Sequence, residues 1–150
     1  MRIERTNSDH ENFRELVQLL DAGLKIIDGD DAPFFAQYNK IDSIRHVVVA
    51  YQGEQAVSCG AFKAYEPGVA EIKRMFTREE HRGKGFAAAV LAELEQWASE
   101  ENYREAILET GNKMTAAIAL YGKSGYERTP NYGQYIGVES SVCMKKMLKP

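Results

Sequence analysis

The chain reads as a single α/β domain, residues 1–150, built on a central, mostly antiparallel mixed sheet flanked by helices. Three observations predict this class. Seven short apolar runs have the spacing of strands. Three longer segments carry apolar residues at helical spacing instead. Turn residues separate the runs, so strands and helices follow one another in one continuous order.

Met1 to Thr6 is expected as a first strand. Ser8-Asp9-His10-Glu11 has the pattern of a capping box, with Ser8 and Glu11 satisfying orphan helix amides. The helix behind it puts Phe13, Leu16, Val17, Leu20 and Leu24 on one face. Asp28-Gly29-Asp30-Asp31-Ala32-Pro33 ends that helix, and Phe34 to Tyr38 is expected as a short second one. Ile44 to Tyr51 and Ala56 to Tyr65 form a hairpin through Gln52-Gly53-Glu54-Gln55. Glu66-Pro67-Gly68 turns the chain into a strand from Val69 to Phe76. A helix follows from about Gly83 to Glu100, buried along Phe86, Val90, Leu94, Trp97 and Ala98, and Asn102 stops it. Arg104 to Glu109 is a strand. Thr115 is expected to cap a helix through Ala117, Ile118 and Leu120 that ends at Gly125. Tyr126 to Arg128 and Ser140 to Leu148 are the last strands.

Composition narrows the function. The apolar fraction of 44% and charged fraction of 27% belong to an ordinary globular domain. A net charge of −3 argues against nucleic acid as a partner. No apolar run suits a membrane span, and Met1-Arg2-Ile3-Glu4-Arg5 lacks a signal-peptide core. Cys59 and Cys143 lie far apart in apolar runs, as buried free thiols would in a reducing cytoplasm, so a cytoplasmic location is expected. The three histidines are scattered, so no metal site is expected.

The most informative segment is Arg82-Gly83-Lys84-Gly85-Phe86-Ala87, between a strand and a helix start. The first helical amides lack partners and the dipole is positive there. Two glycines let backbone approach a ligand closely, and Arg82 and Lys84 add charge. The segment predicts a phosphate-bearing ligand. A P-loop or Rossmann domain fits poorly, since Lys84-Gly85 is not followed by Ser or Thr.

This Arg-x-x-Gly-x-Gly/Ala turn, together with Ala117-Ile118-Ala119-Leu120-Tyr121-Gly122-Lys123-Ser124-Gly125-Tyr126, resembles the GCN5-related N-acetyltransferase (GNAT) superfamily. The likeness covers most of the chain and is strongest from Val69 to Tyr126. It implies the GNAT acyl-CoA N-acyltransferase fold, with acetyl-CoA as cosubstrate and no metal. It implies pyrophosphate binding by Arg82, Gly83, Lys84, Gly85, Phe86 and Ala87, and pantetheine pairing at Met75 and Thr77. Met114 stands where many members carry Asn, with Asn112 nearby. From its own place on the helix, Lys123 reads either as reaching the coenzyme's phosphates or as an ordinary surface lysine. The acceptor implied is a primary amine of a small molecule or peptide. Dimers are common among relatives, so a homodimer is open to this chain.

Within the resemblance, Tyr121 corresponds to the tyrosine that protonates the leaving thiolate. Its phenol, with a pKa near 10, stays protonated at neutral pH. Glu71 is the candidate base, four residues before Met75, whose amide is the expected oxyanion donor. Strand alternation is expected to put Glu71, Lys73 and Met75 on one face. A strand carboxylate paired with Lys73 or Lys63 is the plainer alternative for Glu71. His81 reads as a loop residue and Trp97 as core. Asp28, Asp30, Asp31 and the loop Asn131-Tyr132-Gly133-Gln134-Tyr135 are expected to rim the acceptor site, with a solvated acidic turn and an ordinary exposed loop as the plainer alternatives. Besides a transferase, a non-catalytic acetyl-CoA-binding module remains open.

Overall fold

The computed structural model describes residues 1–29 and 43–149. The expected helix Phe34–Tyr38 and the acidic positions Asp30 and Asp31 lie outside them. The strands are β1 (Arg2–Thr6), β2 (His46–Gln52), β3 (Gln55–Glu66), β4 (Val69–Thr77), β5 (Glu105–Gly111), β6 (Glu127–Thr129) and β7 (Ser141–Met147). The helices are α1 (Glu11–Asp28), α2 (Phe86–Glu100) and α3 (Thr115–Lys123). Among the described residues they form a seven-stranded sheet in the order β1-β2-β3-β4-β5-β7-β6. Every neighbouring pair is antiparallel except β4 and β5.

Alternation along the strands divides the core between two faces. Val48, Ala50, Phe62, Ala70 and Ile72 point to the side that α2 covers with Val90, Leu91 and Leu94. Val47, Val49, Tyr51 and Ala61 point to the other, against Phe13, Leu16 and Val17 of α1. Burial of such a side chain contributes about 1.5–3 kcal/mol, so the two layers fix both helices on the sheet. Trp97 lies at the edge of the α2 layer, half-buried, with the Arg5 guanidinium 5.0 Å from its ring.

Two expected caps are corrected. Ser8 is buried, and its amide and Oγ both bond Ile44, each at 2.9 Å. Its hydroxyl is taken by the segment entering β2, so α1 starts later, with His10 Nδ1 accepting from the Asn12 amide. Thr115 is the first helical residue of α3, and Met114 is the N-cap without a side-chain bond. The start of α2 also moves, from Gly83 to Phe86, because Gly85 is left-handed at φ 89°. Asn102 stops that helix as expected, at φ 71°.

Candidate active site

The site begins with a parallel pair that fails to continue. β4 and β5 pair only from Val69–Glu71 to Glu105–Ile107, and beyond that point they separate. On its other edge β4 carries a bulge. Ala61 faces Lys73 and Cys59 faces Phe76, so two steps on β3 match three on β4. Arg74 absorbs the extra residue at φ 60°, rare for a non-glycine residue. Arg74 and Met75 fall outside the register with both neighbours. Met75 lines the opening at this point.

The bulge also corrects the expected face of Met75. Ala70 and Ile72 point to α2, so Glu71 and Lys73 point to the α1 side. Arg74 is added on that same side, where Nη2 reaches Asp21 Oδ1 of α1 at 2.5 Å. Met75 is shifted to the α2 face and packs there. Gly60 makes room for it: a Cβ at Gly60 would meet Met75 Sδ at 2.4 Å and Leu94 Cδ1 at 2.8 Å.

The resulting cleft passes through the sheet. Met114, Ala117 and Tyr121 of the α3 region line one side. Leu20 and Leu24 of α1, with Glu71, Lys73, Glu109 and Tyr135, line the other. The two candidate catalytic residues, Tyr121 and Glu71, thus share one cleft with Met75. Tyr121 is only 6% exposed, and burial together with the Glu109 carboxylate pushes its phenol well above the ordinary value. It stays protonated throughout the neutral and mildly alkaline range. Glu71 is 5% exposed and accepts from Tyr132 Oη at 2.8 Å through Oε2. Its Oε1 lies 3.9 Å from Lys73 Nζ. Burial drives the Lys73 ammonium below its usual range, against the opposing pull of Glu71.

The loop expected to rim an acceptor site packs against the cleft. Tyr135 is 3% exposed, and Tyr132 sits with its ring 5.1 Å from Tyr65 and 5.6 Å from Tyr135. Asn131 Nδ2 fastens the loop by donating to the Tyr135 and Val138 carbonyls at 3.0 Å each. The phenols of Tyr132 and Tyr135 are raised by burial and by nearby carboxylates. The loop is thus not an ordinary exposed one: Tyr135 lines the cleft and Tyr132 bonds its buried carboxylate.

At the start of α2, Gly83 and Gly85 have φ of 76° and 89°, and a Cβ on either would meet nothing within 4 Å. That side of the turn is open. The first α2 backbone bond runs from the Ala89 amide to Gly85 O at 3.1 Å. The amides of Phe86, Ala87 and Ala88 are therefore the helix's orphan donors. Phe86 packs its ring into the core, so it offers only backbone. Lys84 is exposed. Arg82 Nε folds back onto the Thr77 carbonyl at 3.0 Å, and Thr77 Oγ1 lies 2.8 Å from Ser58 Oγ. These two residues brace the turn against β4. Asn112 and Lys123 are exposed and do not line the cleft; the Asn112 amide bonds the Ser140 carbonyl.

Several residues of the cleft were not singled out in the sequence. Glu109 accepts from Ser141 Oγ at 2.7 Å and shares the α1 side with Glu71. Its place near the end of the parallel strand β5 was a usable signal. The Arg74 bulge has no signature in the sequence. Cys59 and Cys143 are buried and free, and burial pushes the Cys59 thiol up to about 12, so it is unreactive. Among the described residues no cluster of three or more acidic, His or Cys side chains suits a metal, and no helix is long and apolar enough to cross a membrane.

Residues 13–126 match the family model described as the Acetyltransferase (GNAT) family. A Bacillus subtilis relative, the uncharacterized N-acetyltransferase YsnE, is 33% identical over 101 residues, 66% of this chain and 67% of its own. The fold superposes on a Klebsiella pneumoniae structure, provisionally described as an acyl-CoA N-acyltransferase, with a TM-score of 0.82. Identity there is 30%, over 99% of this chain and 97% of that one. A GNAT family acetyltransferase from Elizabethkingia anophelis, solved with acetyl-CoA bound, shares the fold at a TM-score of 0.70 and 18% identity, over 98% and 97% of the two chains. The chain belongs to the GNAT acetyltransferase family. It is an acetyl-CoA-dependent N-acetyltransferase.

Proposed function

We propose that the cleft moves an acetyl group from acetyl-CoA to a primary amine of a small molecule or peptide. One observation carries the assignment of sides. The opening between β4 and β5 has a buried phenol on the α3 side and a buried carboxylate on the α1 side. The residues fit the cosubstrate. Orphan amides at Phe86, Ala87 and Ala88, with the open turn Gly83–Gly85 and the Lys84 ammonium, suit its pyrophosphate. The edge of β4 around Met75 offers unpaired backbone to its pantetheine arm, as to an added strand. Acetyl-CoA supplies the activated thioester.

The protein's own groups then divide the work. The Met75 amide donates to the negative charge that develops on the acetyl oxygen. Tyr121 Oη holds a proton at the sulfur and releases it to the departing thiolate, and its burial keeps that proton on up to high pH. Glu71 draws the cationic amine in and accepts its proton, directly or through water; only about one primary amine in a thousand is neutral at pH 7. Free-thiol release from acetyl-CoA, measured over a panel of amines, tests the assignment. Binding of acetyl-CoA without thiol release for any amine would leave a binding module instead.

A further inference from the structure

We propose that Arg74 is a positioning residue: its guanidinium, held by Asp21 of α1, fixes the bulge so that the Met75 amide stays aimed at the acetyl oxygen. This rests on the acetyl-transfer reading above and names the side chain on which its oxyanion donor depends.

Arg74 sits at φ 60°, a conformation that a non-glycine residue keeps only where its surroundings over-determine it. Two contacts do so. The side chain is 1% exposed, and Nη2 meets Asp21 Oδ1 at 2.5 Å. The Arg74 carbonyl accepts from Cys59 Sγ at 3.5 Å. This second contact bears on the neighbour, because the Arg74 carbonyl and the Met75 N–H belong to one planar peptide. That peptide is trans, so the two groups point in opposite directions. Cys59 lies on β3, and β4 separates β3 from β5. The Met75 N–H therefore points away from Cys59, and the far edge of β4 is the one from which β5 parts.

The guanidinium ties this peptide to the acceptor side of the cleft. Asp21 stands on α1 between Leu20 and Leu24, which line the opening. A charge this deeply buried is costly without its carboxylate. Arg74 Nε is buried too, with no hydrogen-bond partner among the described residues, so loss of Asp21 would leave the guanidinium poorly met. With the pair broken, the left-handed residue keeps its strain and loses its clamp. The extra residue can then shift along β4 and carry Met75 with it.

Three variants test this: Arg74→Gly, Asp21→Asn and the two together. Glycine takes φ 60° without strain, so Arg74→Gly removes the clamp and spares the backbone. Thiol release is measured well below each melting temperature, with acetyl-CoA affinity by calorimetry. Infrared spectra of bound acetyl-CoA, carbon-13 labelled at the carbonyl and without acceptor, read the oxyanion contact directly. In the wild type the carbonyl stretch should fall below its position in free acetyl-CoA. In Arg74→Gly it should move back toward that position, and kcat should fall about 10²-fold, the cost of misplacing a group by about 1 Å. Asp21→Asn should lose about tenfold, the difference between a neutral and a charge-assisted bond. The double variant should be no slower than Arg74→Gly, as two groups acting through one contact require. Acetyl-CoA affinity should hold in all three. Variants that melt lower but keep kcat and the wild-type stretch make the pair structural only and overturn the proposal. A lower kcat with an unmoved stretch overturns it as well. If Arg74→Gly does not fold, Asp21→Asn, at a half-exposed position, decides alone. An unshifted stretch in a wild type that turns over removes Met75 as the donor and this proposal with it. Thiol release with no amine overturns the acetyl-transfer reading itself.

Discussion

The Tyr132 hydroxyl donates to Glu71 Oε2 at 2.8 Å, joining a loop 61 residues away in sequence to the carboxylate at the centre of the cleft. Glu71 could otherwise turn toward Lys73 or lose its orientation, since little water reaches it. Tyr132 itself is held in place by Tyr65 and Tyr135.

Tyr132→Phe keeps those ring contacts and removes the donor. A buried carboxylate oxygen left without its partner costs about 1–3 kcal/mol. The melting temperature should fall by several degrees, since about 2–4 °C corresponds to 1 kcal/mol in a domain of this size. Acetyl transfer should fall about tenfold if the proper setting of Glu71 matters to the rate. A variant with wild-type melting and wild-type turnover would show the bond to be incidental.

Much of this arrangement was legible in the sequence. The seven strands, the αL stop at Asn102 and the glycine turn came from local chemistry: periodicity, propensity and φ preference. What escaped was set by distant contacts. Ser8 looked like a helix cap, but Ile44, 36 residues on, claims its hydroxyl. Met75 looked like a neighbour of Glu71 by alternation, but one extra residue at Arg74 reverses its side. A bulge changes parity for everything after it, and no residue type announces it when arginine fills the left-handed position. The loop of Tyr132 and Tyr135 was read as a rim of the acceptor site, but a polar loop gives no hint that the Tyr132 phenol has the buried Glu71 carboxylate to meet.

Tyr121→Phe removes the proposed proton donor and keeps the ring that packs 5.9 Å from Tyr126. Turnover should fall by about 10²–10⁴-fold where proton transfer limits the rate. Acetyl-CoA affinity by calorimetry should change little. Wild-type rates with a good acceptor would make Tyr121 a packing residue only.

Alkaline pH should unfold the protein through its phenols. Tyr51, Tyr121, Tyr126, Tyr132 and Tyr135, five of eight tyrosines, are all raised above the ordinary value of 10.0, with burial as the largest cause. The unfolded chain loses these protons near pH 10 while the folded one keeps them. Stability is therefore full below pH 10 and declines as pH rises beyond it toward the folded values. Melting temperature followed from pH 8 to 11 should hold and then drop steeply. Phenolate absorbance should show these tyrosines ionising together with unfolding. Smooth ionisation of all tyrosines near pH 10 in a folded protein would contradict their burial.

Gly85→Ala and Gly85→Asp separate backbone strain from charge at the α2 turn. A Cβ there meets no atom within 4 Å, so neither substitution clashes, but φ of 89° strains any L residue by about 1–3 kcal/mol. Both variants should lose similar stability. Only Asp adds negative charge where the pyrophosphate is proposed to lie, so it should weaken acetyl-CoA well beyond Ala. Equal affinities in the two would move the phosphate site elsewhere.

Gly60→Ala tests the bulge from behind. Gly60 lies on β3 facing α2, and Met75 Sδ occupies the space a side chain would need. The added methyl would sit 2.4 Å from that sulfur, 2.8 Å from Leu94 Cδ1 and 3.1 Å from Val90 Cγ1. Val90 and Leu94 are fully buried on α2, so the flexible methionine is what must give way. Overpacking of this kind costs about 1–3 kcal/mol in stability. Its more telling effect is on the rate: moving Met75 moves the amide proposed to meet the acetyl oxygen, and a lost donor of that type costs about 10²–10³-fold in kcat. Acetyl-CoA binding, which is proposed to rest mainly on the α2 turn, should suffer less. A folded Gly60→Ala protein with unchanged kcat would show that the amide of Met75 is not the oxyanion donor, or that the bulge holds its place whatever the methionine does.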